Sequence, residues 1–280
     1  MDHLRWSYRP TLRRPVVVAA FEGWNDAGDA ATTAARWLTD RWDGRRFATI
    51  DPEEFYDFTA TRPRVELAEG HQREIVWPEN DLSAMTVPGT DRDVVVVLGT
   101  EPQLKWRTFC EQVVDVARQH DASMVLTLGA LLAEVAHSRP VSVIGTAHDD
   151  ELVERLDLQQ STYEGPTGIV GVLQEACRQA GLPSASLWAA VPTYVPGAPS
   201  PKAALALVER TTGLLDVAVT TTDLEIASAS YERQISELVA ADEETSAYVA
   251  HLEQRYDSGD LSTGSSLIDE VEQFLKDQRE

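Results

Sequence analysis

Carboxylates recur at one kind of place in this chain, directly after short apolar runs. Val16 to Phe21 leads into Glu22-Gly23-Trp24-Asn25-Asp26-Ala27-Gly28, and Val94 to Leu98 leads into Gly99-Thr100-Glu101-Pro102. Paired carboxylates can divide general acid and general base roles when their surroundings push their pKa values apart, so Glu22 and Glu101 are candidates if the fold brings them together. Each also has a structural role open to it. Glu101 can hold a backbone amide or pair with a base, Pro102 can open a helix at its first turn, and Asn25 or Asp26 can cap the helix that follows. Gly23 permits backbone angles closed to other residues. Gly28 lets that helix approach a sheet, and Trp24 offers an aromatic wall to a pocket lined by helix N-terminal amides and Glu22. A third loop, Tyr163-Glu164-Gly165-Pro166-Thr167-Gly168, precedes another helical pattern, with Thr167 placed to cap it.

Other chemistries lack their apparatus. A P-loop needs a Gly-Lys pair so that the lysine reaches the phosphates, and none occurs. Gly165, Gly168 and Gly171 are spaced by three, which suits close helix packing rather than the Gly-x-Gly-x-x-Gly dinucleotide turn. Glu134 and His137 match Glu-x-x-His, but a di-iron site needs a second such pair. His148-Asp149-Asp150 reads as a turn opening an acidic helix N-terminus. No His-Glu-x-x-His, zinc-spaced cysteine pair or Gly-x-Ser-x-Gly elbow is present, so no metal and no cofactor is expected. Cys110 and Cys177 fall inside apolar helical patterns and read as free, buried thiols.

These loops need a frame. Val16 to Phe21, Val94 to Leu98, Met124 to Leu128, Val141 to Ile144 and Ser186 to Val191 are unbroken apolar runs, the pattern of strands buried on both faces. Helical patterns lie between them at Ala27 to Leu38, Leu104 to Gln119, Leu131 to Ala136 and Gly168 to Gln179. The alternation predicts an α/β fold with a mostly parallel sheet covered by helices over residues 1–215, where ligands bind beyond strand C-termini. Asp51 to Pro88 breaks the rhythm and reads as an extended, antiparallel insertion with segments at Phe55 to Phe58, Arg64 to Leu67 and Glu74 to Trp77, covering an edge or an entrance. Val191 to Pro201 reads as a stiff prolyl loop.

From Asp216 the spacing of Leu224, Ala227, Tyr231, Ile235, Leu238, Val249, Leu252 and Tyr256 predicts one long amphipathic helix. A capping box at Thr222 and Glu225 starts it, and Ser258-Gly259 ends it. A second helix presents Leu267, Ile268, Val271, Phe274 and Leu275. Residues 216–280 hold 16 acidic and 4 basic side chains, a net charge of −12 within a chain of −22. Such charge reads as a solvated face, or as a docking surface for a basic partner. The overall acidity argues against nucleic acid and anionic membranes as partners. No apolar run is long enough for a membrane span, and Met1 to Trp6 lacks a signal-peptide core, so a cytoplasmic protein is expected.

In this order, Phe21-Glu22-Gly23-Trp24-Asn25-Asp26-Ala27-Gly28, then Gly99-Thr100-Glu101-Pro102 followed by Trp106, then Tyr163-Glu164-Gly165-Pro166-Thr167-Gly168 resemble the proteasome assembly chaperone 2 family. The resemblance implies a phosphorylase/hydrolase-like α/β fold that associates with copies of itself, and a non-enzymatic role in relatives that help assemble proteasome core rings. Some relatives end in a hydrophobic-Tyr-x tail that docks on the proteasome. This chain ends Lys276-Asp277-Gln278-Arg279-Glu280, without that device. Two expectations follow. One is an oligomeric, protein-binding module whose partners are proteasome subunits or other proteins. The other is an enzyme acting on a small nucleoside-like or acyl substrate, with Glu22, Glu101 and Glu164 around a pocket.

Overall fold

The structure, a computed structural model, describes residues 3–67, 72–161 and 163–259. The expected helix over Leu267 to Leu275 lies outside them. Among the described residues one sheet runs in the order β1 (Leu4–Trp6), β3 (Arg45–Ile50), β6 (Asn80–Thr86), β7 (Asp93–Thr100), β2 (Val16–Glu22), β8 (Met124–Ala133), β10 (Ser184–Pro192), β9 (Val143–Ala147). Its centre, β7-β2-β8-β10, is parallel, and antiparallel strands extend both sides.

The central strands are apolar throughout because both faces are covered. Along β2, Val16, Val18 and Ala20 point into one core, shared with Ala34 and Leu38 of α1 (Ala30–Arg41) and Leu207 of α5 (Pro201–Leu215). Val17, Ala19 and Phe21 point into the other, shared with Phe109 and Val113 of α2 (Trp106–Gln119) and Leu173 of α4 (Ile169–Gln179). Phe109 is fully buried, edge-on to Phe21 at 5.8 Å and Phe55 at 5.4 Å. Truncating it to alanine costs about 3 to 5 kcal/mol.

The α/β class and the five expected strands are present, with corrections around them. Leu131 to Ala136 is not helical: β8 continues to Ala133, because Leu131 and Leu132 pair with Ala190 and Val191 of β10. A short apolar run does not declare its period. Residues 51–88 are only partly an insertion. Arg64–Leu67 (β4) and Arg73–Val76 (β5) pair antiparallel, close to the expected segments, but Phe55 and Tyr56 are buried loop residues and β6 belongs to the main sheet. The prolyl stretch ends in α5: Pro201 opens that helix and Ser200 Oγ accepts from the Ala203 amide (3.3 Å). His148-Asp149-Asp150 does open a helix, α3 (Asp150–Leu156), with Asp149 as its cap.

The long C-terminal helix is two, α6 (Thr222–Ala240) and α7 (Glu243–Asp257). Asp242 separates them, its carboxylate accepting from the Thr245 amide at 2.9 Å to start the second. Thr221, rather than Thr222, stands at the N-cap of α6; its side chain makes no cap bond, and its hydroxyl donates to the Glu225 carboxylate (2.8 Å). Tyr231, Ile235, Val249 and Leu252 pack on Ala136, Tyr194 and Val195, whereas Leu238 is 63% exposed. Arg139 to Asp257 (2.7 Å), Arg255 to Glu134 (3.0 Å) and Lys202 to Glu232 (2.6 Å) tie the pair to the sheet domain. No helix among the described residues is long and apolar enough to cross a membrane.

Candidate functional site

The three loops meet, and Glu101 is where they meet. Its Oε1 accepts from Asn25 Nδ2 (3.1 Å) and from the Ile169 amide (2.9 Å), and its Oε2 lies 3.4 Å from the Trp24 amide. The Glu101 amide itself donates to the Glu22 carbonyl at 2.8 Å. Ile169 is the first residue of α4, so the cap of that helix comes from a different loop. Thr167, placed by sequence to cap it, makes no cap bond; Gly168 stands at the N-cap. A carboxylate on a helix N-terminus also faces its positive dipole end. Each such bond to a charged acceptor is worth roughly 1.5 to 3 kcal/mol.

The crossing is tight enough to dictate glycine twice. Gly23 has φ of +130°, and a Cβ there would come within 3.2 Å of Glu101 Cβ. A Cβ on Gly168 would stand 2.1 Å from Asn25 Nδ2 and 2.8 Å from Glu101 Oε1. Gly28 serves a different contact from the one expected: it faces Ala198 and Ser200, with the Ser200 amide donating to its carbonyl (2.7 Å).

A second layer fixes the strand ends. The Tyr56 hydroxyl donates to the Thr100 carbonyl (2.5 Å), and Asn80 Nδ2 donates to both, at 2.6 and 3.1 Å. Burial, with the nearby carboxylates adding to it, pushes the Tyr56 hydroxyl well above the usual phenol range. Asp26 is 5% exposed and accepts from the Ala31 (2.7 Å) and Thr32 (3.2 Å) amides and from the Thr32 hydroxyl, so it caps α1 as expected. Burial raises its carboxyl to about 6 against the pull of those bonds. Cys110 and Cys177 are buried, their thiols pushed up to about 12 by desolvation, which leaves them inert at neutral pH.

Beside the clasp lies a cavity of about 530 Å³. Gly23, Trp24, Asn25, Gly165 and Thr167 line it; Glu22, Asp26, Gly99, Glu101 and Glu164 do not. Glu22 instead pairs with Arg36 (3.5 Å) and accepts from the Thr100 hydroxyl (3.4 Å). Gly99 faces Asn80 across the β6-β7 ladder, and Glu164 is exposed. The cavity floor, missed from sequence, comes from Ile144 and Thr146 of β9, Ser186 and Trp188 of β10, and Gln174 of α4. A faint signal existed in Ser186 and Trp188, two residues apart and interrupting an otherwise aliphatic strand. His137, the other Glu-x-x-His member, is a packing residue: Tyr194 (2.8 Å) and Ser236 (3.0 Å) hold its ring nitrogens, and burial lowers its pKa.

A parallel-centred α/β sheet with a clasped loop cluster and a ligand-sized cavity at the strand ends defines the class. The chain belongs to the PAC2 family, whose model matches residues 20–239. It is similar to a PAC2 family protein of Streptomyces avermitilis, with 48% identity and a TM-score of 0.79 over 84% of this chain and 99% of that one. A proteasome-assembly chaperone homologue of Mycobacterium tuberculosis is 46% identical, with a TM-score of 0.76 over 84% and 99%. A protein of unknown function from the same organism aligns over 100% of this chain and 97% of its own, at 29% identity and a TM-score of 0.86. A comparison with curated proteins finds no match.

Proposed function

We propose that this protein is a non-enzymatic, self-associating assembly chaperone whose partners are proteasome subunits. The observation that carries the reading is the Glu101 clasp: the carboxylate best placed for chemistry is engaged by three loop amide groups, as a structural latch would be. Glu22 is likewise engaged by Arg36 and Thr100. Likeness to the 46% identical mycobacterial proteasome-assembly chaperone homologue supports the same role.

Self-association is assigned to the β4-β5 hairpin and a second copy of the chain. An isolated two-stranded ribbon is marginal in water, yet here Val65 and Ile75 pair on one face beside Leu67, 62%, 58% and 68% exposed. An exposed apolar patch of this kind marks an interface. Along the two strands Arg64 and Arg73 alternate with the Glu66 and Glu74 pair, so the hairpin carries charges of both signs for a second copy to meet.

Native mass spectrometry of the full chain, alone and mixed with unassembled proteasome α- and β-subunits from the same source, tests the proposal. It predicts a defined homo-oligomer and a stoichiometric complex with subunits. A monomer that binds neither subunit defeats it. The rival reading, an enzyme acting through Glu22 and Glu101, is favoured instead if a substrate is turned over and the Glu→Gln variants abolish that turnover while folding normally.

A further inference from the structure

The cavity has a chemical bias of its own, set by two buried carboxamides. Asn25 is 3% exposed and Gln174 7% exposed, and both line it. Asn25 Nδ2 donates to Glu101 Oε1 (3.1 Å), and Gln174 Nε2 donates to the Ala185 carbonyl (2.8 Å) and to Thr127 Oγ1 (3.0 Å). A carboxylate and a backbone carbonyl only accept, so both amides have a fixed orientation: nitrogen toward the protein, oxygen as the uncommitted end. Neither Asn25 Oδ1 nor Gln174 Oε1 accepts a hydrogen bond from another described residue. The bond to Glu101 also polarises the Asn25 amide and makes its oxygen a stronger acceptor. Thr127 and Ser186 add a shared hydroxyl pair, 2.7 Å apart, under Gln174.

The remaining surface is apolar or aromatic. Leu132, Ile144 and Val170 form walls, and Trp24 and Trp188 offer ring surfaces. Among the described residues no Asp, Glu, Lys or Arg lines the cavity. The one histidine of the lining, His148, is exposed, so an anionic ligand seated against the two carboxamide oxygens would be desolvated with no buried counter-charge beside it, at high cost. A volume of about 530 Å³ falls within the range of small-molecule sites, roughly 300 to 1,000 Å³.

We propose that this cavity binds an uncharged, planar aromatic molecule whose N–H groups donate to Asn25 Oδ1 and Gln174 Oε1. The site is separate from the hairpin surface and does not depend on the protein-binding reading. A matched probe series tests it: 2-naphthamide, N,N-dimethyl-2-naphthamide and 2-naphthoate share one aromatic body but carry N–H donors, none, and a negative charge. In ligand-observed NMR titrations against the full chain, 2-naphthamide binds saturably and about tenfold or more tighter than either analogue, the factor expected for one lost hydrogen bond. Thr146→Phe, which puts a ring into the cavity from the edge strand β9 and leaves both carboxamides in the sequence, abolishes binding. Gln174→Met weakens it in whatever fraction remains folded. No saturable binding of 2-naphthamide, equal affinity for all three probes, or undiminished binding by the Thr146→Phe protein overturns the proposal.

Discussion

Glu101 Oε1 lies 2.9 Å from the amide nitrogen of Ile169, 68 residues further along the chain, and so caps a helix it does not belong to. The same atom reaches Asn25, which makes one carboxylate the joint of three loops. Glu101→Ala leaves a buried amide and a carboxamide nitrogen without acceptors. Thermal unfolding should show a loss of about 2 to 4 kcal/mol, with Glu101→Gln losing about half as much because it keeps an uncharged acceptor. Equal stability of the alanine variant and wild type would show the latch to be incidental.

Gly168→Ala tests the same joint from the other side. Its Cβ would sit 2.1 Å from Asn25 Nδ2, closer than any real contact, so Asn25 must leave Glu101 or α4 must shift. A destabilisation of about 2 kcal/mol or more is expected. Pairing it with Glu101→Ala in a double-mutant cycle should give strongly non-additive losses, since both changes break one contact.

Asp26 makes stability depend on pH. Its carboxyl titrates near 6 in the folded chain and near 3.8 when unfolded, because burial outweighs its hydrogen bonds. Between those values the folded state holds more protons, so this contribution is complete below about pH 4 and is lost as pH rises through about 6, on the order of 2 to 3 kcal/mol. Asp26→Asn should flatten that slope in urea unfolding curves collected across the window. An unchanged slope would exclude Asp26 as its source.

The thiols of Cys110 and Cys177 should not react with a disulfide reagent at pH 8 while the chain is folded, since burial pushes both up to about 12. Both should react promptly in denaturant. Fast labelling of the native protein would contradict their burial.

Val65→Asp combined with Ile75→Asp places two charges on the exposed hairpin face. Sedimentation should shift from oligomer to monomer while circular dichroism stays nearly the same, because both side chains are largely exposed and touch the protomer mainly through each other. Retention of the oligomer would locate self-association elsewhere.

What could be read beforehand follows from how local each signal is. The strands from Val16 and Val94 declare themselves because both their faces are buried and no polar residue interrupts them. β3 and β6 do not, since Arg45, Arg46, Asn80 and Asp81 disguise antiparallel strands whose partners supply the pattern. The loops are legible as sites of acids after strands; the backbones of Glu22 and Glu101 meet, while their carboxylates are held by different partners. Their engagement was not legible, because the partners of Glu101 are two backbone amides and a side chain from distant segments, and a backbone amide carries no sequence signature. Gln174 was hidden for a related reason: inside a helical pattern it looks like a solvated residue, and only the sheet beneath it makes it a buried donor.

The assembly role has a direct measurement. In source cells lacking this protein, native gels should show proteasome core subunits accumulating as free or half-assembled species, with fewer complete particles, restored by the wild-type chain and poorly by the Val65→Asp, Ile75→Asp form. An unchanged distribution between precursors and complete particles would contradict the account.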